Sequence, residues 1–321
     1  MVDWVFPENM QPKQAHFSFD LQATFDAVVQ VRATVPASAF TASILGIERI
    51  GNGVVIEPDK LVLTIGYLIT EADNIWLTTN SGAVVPATVL AYDFATGFGL
   101  LMPLGPLGAP KLKLGDSSSA KINDDVILAS HGGSAHASST LISDKREFAG
   151  YWEYVLDQAI FTAPAHPQWG GAALVDHDGL LIGIGSLLVD DAASNQETQV
   201  NMIVPINLLT PILNDLVTTG RSPQQARPWL GMYTAESQGY FIVAGVAPGG
   251  PAEKAGVKQG DVVVYIAGEK PNSLANFFRA IWRHGAPGVD IPITLSRDGT
   301  ALEVTIRSGD RNSFLYRPAL H

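Results

Sequence analysis

Hydrophobic and polar positions alternate in short segments over most of the first two thirds of this chain. From about residue 42 to residue 205, apolar and β-branched runs are separated by turn sequences such as Asn80-Ser81-Gly82. Many short strands at this spacing indicate an antiparallel barrel or sandwich, not a parallel α/β sheet. The predicted strands are 53–56, 61–64, 74–78, 87–92, 126–130, 180–184 and 199–204.

The spacing of apolar residues changes after Pro205. Apolar side chains then recur every three or four residues, from Ile206 to Leu216, which predicts a helix that ends at Gly220. Residues 221–227, with Ser, Pro and Gln, read as a linker.

A second pattern begins after the linker and predicts a small domain over residues 228–309. We expect strands at 229–233, 240–246, 261–267, 291–296 and 301–307, and a short helix at 251–255. A longer amphipathic helix is predicted at 272–284, because one face carries Leu274, Phe277, Phe278, Ile281 and Trp282. Residues 310–321 are predicted to be a tail.

Composition narrows the classes of function. The chain has 321 residues, 46% of them hydrophobic, and a formal net charge of −11. That charge disfavours nucleic acid and anionic lipid as partners, since both attract basic surfaces. The chain has no cysteine, which excludes disulfides, thiolate metal sites and thiol nucleophiles. His131 and His136 read as part of a polar loop, and we expect neither metal nor cofactor.

The first 41 residues are predicted to form an N-terminal arm. Its aromatic residues follow neither helical nor strand periodicity, and they are Trp4, Phe6, Phe17 and Phe19. An extended arm cannot bury these rings alone, so we expect it to dock on its own domain or on a neighbouring subunit.

The sequence shows neither a membrane span nor a signal peptide. No apolar run approaches ~18 residues, and no basic segment precedes an apolar stretch at the N-terminus. We therefore expect a cytoplasmic protein, or a periplasmic one if a leader has been removed.

Three glycine-containing motifs stand out in the strand-rich region. The first ends in Leu63-Thr64 and is followed by Tyr67, the second contains Gly97 before a strand, and the third contains Trp169 before Gly170-Gly171. These motifs occupy residues 51–64, 92–101 and 165–175.

With these motifs the chain resembles the HtrA/Deg serine proteases over nearly its whole length after residue ~40. The resemblance implies a mainly β fold, in which a chymotrypsin-like double six-stranded β-barrel (residues 42–220) precedes an α+β PDZ domain. The stretch 246–263, which includes Pro251-Ala252 and Gly260-Asp261, is similar to a specific motif of the family's PDZ domains.

The family's catalytic positions are replaced in this chain. By resemblance, Tyr67 stands at the triad histidine, Gly97 at the aspartate and Trp169 at the serine. Pro167 stands where the family has a glycine whose N–H helps form the oxyanion hole, and proline has no N–H. Acyl transfer by this route needs a hydroxyl, an imidazole base and an orienting carboxylate. The replacements therefore predict a pseudoprotease that is not an enzyme.

Two alternatives concern the former catalytic cleft. A relocated active site would need partners such as Ser134 and His166, for which the sequence has no recognisable motif. Trp169 and Tyr67 either fill the cleft by packing together or form a new apolar recognition surface.

The resemblance also implies a peptide groove in the PDZ domain. Backbone N–H groups of Leu230, Gly231 and Met232 would bind a terminal carboxylate, and the peptide would add as a strand beside the 272–284 helix. Phe278, Ile281 and Trp282 are candidates for its side-chain pocket, although helical spacing also suits them to the core.

Three functions remain open from the sequence. The first is an inactive scaffold or regulator that binds apolar protein C-termini through its PDZ domain and forms a homo-oligomer, a trimer, through the aromatic arm. The second is a serine endopeptidase with an unrecognised active site. The third is a structural subunit of an assembly.

Overall fold

The chain folds into two units in a computed structural model that describes residues 4–57, 59–191 and 198–316. The first unit contains the residues up to Arg146, Gln158–Pro223 and Tyr316. The second contains Gln224–Leu315 and also Glu147–Asp157, a segment that the sequence placed in the first domain.

Among the described residues, the alternating apolar positions form two closed barrels of six strands each, arranged as β1-β2-β3-β6-β5-β4 and β10-β11-β12-β9-β8-β7. Side chains on the inner face of each barrel are buried, as with Val31 and Leu77 in the first and Ile182 and Ile203 in the second. The strands of the first barrel are β1 (Val28–Thr34), β2 (Glu48–Glu57), β3 (Leu61–Ile65), β4 (Asn74–Thr78), β5 (Val84–Tyr92) and β6 (Phe98–Pro103). The strands of the second are β7 (Asp125–Ala129), β8 (Ala137–Gly150), β9 (Tyr154–Ala163), β10 (Ala173–Val175), β11 (Leu181–Asp190) and β12 (Gln199–Pro205).

The first 41 residues are more than an arm. They contain a short helix, α1 (Leu21–Asp26), and strand β1, which pairs with both β2 and β4 of the first barrel. The aromatic residues before α1 pack on their own unit: Phe6 is buried, and its ring lies 4.8 Å from that of His166. The arm thus docks on its own domain. The predicted trimer remains a prediction.

The helix expected from Ile206 onward is shorter than its apolar spacing suggested. A 3₁₀ turn covers Ile206–Leu208, and the α-helix proper, α3, runs from Leu213 to Thr219. Gly220 ends it in the left-handed conformation, with its N–H bonded to the Leu216 carbonyl. Another short helix, α2 (Ala42–Leu45), lies before β2.

The second unit is built on a five-stranded sheet with the order β13-β14-β15-β16-β17. The predicted 229–233 strand begins later, at Met232, because Trp229 makes only an isolated bridge with Gly309. The amphipathic helix is confirmed, and the Ser273 hydroxyl caps it by accepting from the Asn276 N–H at 3.0 Å. The elements are β13 (Met232–Ser237), β14 (Tyr240–Val246), α4 (Pro251–Lys254), β15 (Val262–Ile266), α5 (Leu274–Trp282), β16 (Asp290–Arg297) and β17 (Thr300–Arg307).

None of the helices within residues 4–57, 59–191 and 198–316 has the length and apolar character needed to cross a membrane.

Candidate functional site

Tyr67, the residue predicted at the triad histidine position, lies in a 3₁₀ turn directly after β3. Its hydroxyl donates a hydrogen bond to the Ser186 carbonyl at 2.8 Å. Burial raises the pKa of the Tyr67 phenol above its usual value, while hydrogen bonding with the Trp169 side chain opposes that rise. The structure therefore brings Tyr67 and Trp169 together, with Tyr67 held as a neutral phenol.

The segment that carries Trp169 is held by backbone and amide contacts. The Asn52 side chain donates to the carbonyls of Gln168 and Gly170 at 2.9 and 3.0 Å, and the Trp169 carbonyl accepts from the Ala172 N–H at 3.0 Å. The Trp169 indole itself is half-buried. The choice between a filled cleft and a new recognition surface remains a prediction.

Gly97, predicted at the aspartate position, has a backbone role. It adopts a left-handed conformation, with φ of 83°, in the turn before β6. Its carbonyl accepts from the Gly66 N–H at 2.7 Å, and its own N–H donates to the Asp93 carbonyl at 2.8 Å. This turn therefore positions the chain beside Tyr67 through backbone contacts.

His166, which the sequence offered for a relocated site, has both ring nitrogens engaged. Nδ1 accepts from the Gln168 N–H at 3.0 Å, and Nε2 lies 3.0 Å from the His136 carbonyl, to which it donates because a carbonyl only accepts. Burial lowers the pKa of His166 to about 4. The ring is therefore neutral and structural, while Ser134 lies exposed in a 3₁₀ turn.

The three backbone N–H groups predicted to bind a carboxylate do surround one in this structure, the side chain of Glu153. Its Oε1 atom accepts from Gly231 at 2.9 Å, from Leu230 at 3.2 Å and from Met232 at 3.4 Å. Gly231 has φ of 66°, which turns the successive N–H groups toward one point. We call Leu230, Gly231 and Met232 the carboxylate loop.

Glu153 is buried, and burial raises the pKa of its carboxyl group to about 7. The positive charge of Arg311 and the hydrogen bonds from the carboxylate loop oppose this rise. The loop and Arg311 thus favour the ionised carboxylate, whereas its removal from water favours the neutral acid.

The turn that carries Glu153 joins β8 to β9, and we call residues 147–157 the hairpin tip. Its Tyr151 carbonyl accepts from the Thr234 N–H of β13 at 3.1 Å, and its Trp152 carbonyl accepts from Arg311 at 3.2 Å. On the helix side, Arg279 of α5 pairs with Glu147 at 2.6 Å and with Asp157. The hairpin tip therefore contacts the carboxylate loop, the edge strand β13 and helix α5.

The predicted pocket residues on α5 lie largely within the core. Phe278 and Ile281 are fully buried, in the same apolar cluster as Val155 from the hairpin tip. Trp282 is partly buried, stacks on Phe278 with ring centroids 6.0 Å apart, and lies under the Arg227 guanidinium. Phe278 and Ile281 thus take the core position that their helical spacing also allowed.

Reasoning from the sequence missed Glu153, Thr234, Arg279 and Arg311. The signal that could have found the hairpin tip is Tyr151-Trp152-Glu153-Tyr154, an aromatic-rich turn with one acidic residue. Such a turn has apolar surface to bury and a carboxylate to pair. The spacing of residues in this turn gave no indication that it would contact the carboxylate loop, which lies more than seventy residues further along the chain.

Two family models match the chain. The trypsin-like peptidase domain matches residues 51–184, and the PDZ domain matches residues 228–307. The first match lies within the double barrel, and the second covers the five-stranded sheet with its helices.

The similar proteins are bacterial proteases. A probable periplasmic serine endoprotease DegP-like of Halomonas elongata is 28% identical over 279 residues, covering 81% of this chain and 56% of its own length. Serine endoprotease DegS of Haemophilus influenzae is 25% identical over 293 residues, covering 87% of this chain and 83% of its own length. The solved structure of the HtrA-type protease AlgW with tripeptide is 22% identical and shares the fold, with a TM-score of 0.52 over 96% of this chain and 99% of the other.

The two family matches together show a trypsin-like peptidase domain followed by a PDZ domain. The chain belongs to the HtrA/Deg family of serine proteases. It spans about half the length of the first DegP-like relatives that it matches, 54% and 56%.

Two predictions from the sequence need correction. The chain was predicted not to be an enzyme, but its relatives are named serine endoproteases, and the structures that share its fold are described as HtrA proteases. A cytoplasmic location is likewise unsupported, because several relatives are named periplasmic. Replacement of motif residues was too narrow a basis for the first prediction, and the residue pattern near Met1 was too narrow a basis for the second.

Proposed function

We propose that this HtrA/Deg family protein binds the free C-termini of peptides through its PDZ domain, at the carboxylate loop. The observation that carries the proposal is the convergence of three consecutive backbone N–H groups on the Glu153 carboxylate. A group of donors that holds one carboxylate away from water has the chemistry to hold another.

The surroundings of the loop suggest the kind of peptide. Leu230 and Met232 of the loop are apolar, and Val155 of the hairpin tip lies in the same apolar cluster. Strand β13 is the first strand of its sheet order, so its outer edge has backbone groups for an added strand. The groove thus suits an extended peptide with an apolar last residue.

Binding of matched peptides to the full chain tests the proposal. The probes are fluorescein-labelled decapeptides ending in Val, Leu, Phe or Ala, each made with a free carboxylate and with a C-terminal amide. We expect the free acid to bind at least ~10-fold more tightly, because the amide removes the charge that the loop accepts. Equal binding of both forms, or binding of neither at any pH between 5 and 8, would reject the proposal; the latter would favour a structural subunit.

A second candidate function is endopeptidase activity, which the names of the relatives favour. A fluorophosphonate probe and a casein digest at high protein concentration test for it. Labelling of a serine, with cleavage abolished by substitution of that serine alone, would establish the activity and identify the nucleophile. Cleavage that persists after the substitution would point to a contaminating protease.

Two further proposals concern assembly and location. The names of the relatives support a periplasmic location, which fractionation of cells expressing the native gene would test. A trimer through Trp4, Phe17 and Phe19 would have to form while Phe6 stays buried in its own unit. Light scattering of the full chain measures the assembly directly.

A further inference from the structure

We propose that Glu153 is an internal ligand of the carboxylate loop, and that a peptide C-terminus binds this loop only when the hairpin tip leaves it. This inference rests on the proposed function, because it concerns how the same loop is regulated. It is drawn from contacts within the second unit.

The first support is that Glu153 already occupies the N–H donors of the carboxylate loop. The N–H groups of Leu230, Gly231 and Met232 all lie within 3.4 Å of Glu153 Oε1. A peptide carboxylate would need the same N–H groups and the same buried space, so the two carboxylates compete for a single site.

The second support is that the hairpin tip covers more than the loop. Thr234, whose N–H would pair with an added peptide strand, already donates to the Tyr151 carbonyl at 3.1 Å. Arg279 binds the tip from the helix side through Glu147 and Asp157. Val155 lies in the same apolar cluster as Phe278 and Ile281. The tip thus contacts the carboxylate loop, strand β13 and helix α5 together.

The third support is that docking of the hairpin tip has energetic costs as well as energetic gains. Glu153 has φ of 63°, a left-handed conformation that residues with a Cβ rarely adopt. Its carboxylate is also removed from water, which disfavours the charged form. Hydrogen bonds and apolar contacts offset these costs, so the docked tip is a state that another carboxylate can displace.

Protonation links this competition to pH. The charged and titratable groups around Glu153 are Arg311 from the C-terminal 3₁₀ turn, Tyr233 from β13 and Tyr151 from the tip itself. The docked carboxyl has a pKa of about 7, above the usual value of ~4.3 for an exposed glutamate. Because the docked pKa is the higher one, docking is strongest in acid and weakens as pH rises from about 4.3 toward about 7.

The experiment compares the full-length protein with Glu153→Ala and Glu153→Gln, and uses Glu269→Gln as the matched control. Glu269 lies in the same unit and loses the same charge, but it pairs with Arg283 away from the hairpin tip. The first readout is hydrogen exchange of the Leu230, Gly231 and Met232 amides without peptide. The second is affinity for the free-acid decapeptides ending in Val, Leu, Phe or Ala, measured from pH 5 to pH 8.

For Glu153→Ala we expect amide exchange in the loop to be at least ~10-fold faster and peptide affinity at least ~10-fold higher at pH 5. The dissociation constant of the peptide for the wild type, divided by that for Glu153→Ala, should fall as pH rises toward 7, by up to ~10-fold per pH unit. The peptide's own titration cancels in this ratio. Glu153→Gln resembles the protonated acid, so it should compete at every pH with little pH dependence. Glu269→Gln should keep wild-type exchange in the loop.

The outcomes separate this inference from the proposed function. Unchanged loop exchange and unchanged affinity in Glu153→Ala, with peptide still bound by its free carboxylate, would overturn the internal ligand and leave the proposed function standing. Faster loop exchange with no peptide binding at any pH would support occupancy by Glu153 and overturn the proposed function.

Discussion

Oε1 of Glu153 lies 2.9 Å from the backbone nitrogen of Gly231, in a loop whose left-handed glycine also directs the N–H groups of its two neighbours toward that oxygen. Such a group of N–H donors is the feature on which a PDZ domain relies to recognise a chain terminus. In this protein a side chain of the same polypeptide provides the carboxylate. The contact identifies the loop as a carboxylate site and accounts for its occupancy.

Replacement of Gly231 by alanine should weaken peptide binding by at least ~10-fold. The new Cβ would lie 3.0 Å from both the Ala247 Cβ and the Trp229 ring, and φ of 66° is unfavourable for alanine. Gly239→Ala is the matched control, because Gly239 has φ of 77° in the same unit with nothing within 4 Å of the added Cβ. Fluorescence anisotropy with a free-acid decapeptide measures both. Equal losses in the two variants would contradict a specific role for the loop.

Replacement of Arg279 by alanine should loosen the hairpin tip, because it removes the ion pairs with Glu147 and Asp157. Arg279 is partly exposed, so we expect a loss of only about 0.5–1 kcal/mol in docking of the tip. Hydrogen exchange of the Tyr151–Tyr154 segment should accelerate. Arg283→Ala is the control, since Arg283 follows on the same helical segment and pairs with Glu269 away from the tip. Similar acceleration by both variants would argue against a clamp at Arg279.

Protonation of His166 should destabilise the first unit in acid. The folded pKa is about 4, below the ordinary value of ~6.5, so the neutral ring contributes stability above pH 6.5 that is lost as pH falls toward 4. The upper limit of this loss is about 3 kcal/mol. Titration of the His166 ring by NMR measures the pKa. A His166 pKa near the ordinary value of ~6.5 would contradict the expected loss.

Replacement of Tyr67 by phenylalanine should lower the free energy of unfolding of the first unit by about 1–2 kcal/mol, because the Ser186 carbonyl loses its donor in a buried site. Tyr240→Phe is the control, since Tyr240 is 61% exposed. Denaturant unfolding of both variants measures the difference. A loss no larger than that of the control would show that the Tyr67 hydroxyl does not support the barrel.

Much of the fold was predictable, because burial follows the period of each element. Strand β4 and strand β14 have the expected bounds, and α5 lies within its predicted range. One prediction differed in its local structure: the pattern from Ile206 to Leu216 forms a 3₁₀ turn and a shorter helix in place of one long helix. Along this stretch Ile206, Leu209, Ile212 and Leu216 are buried, whereas Leu208 is exposed. Strand β1 was missed because the surrounding aromatic residues were assigned to an arm.

The candidate site was predictable only in part. Leu230, Gly231 and Met232 could be found from a motif, because the loop depends on backbone groups and one glycine. Glu153 could not, because its role depends on a long-range contact between two regions of the chain that no local period or motif connects. Phe278 and Ile281 illustrate the reverse case, in which helical spacing suited both the core and the groove, and the structure placed them in the core.

The most direct test follows the backbone amide signals of Leu230, Gly231 and Met232 by NMR in the full-length Glu153→Ala variant. The variant is titrated with one decapeptide, first as the free acid and then as the C-terminal amide. We expect all three amide signals to shift with the free acid and to stay unchanged with the amide. The same shifts with both forms, or shifts confined to other residues, would contradict recognition of a terminal carboxylate by this loop.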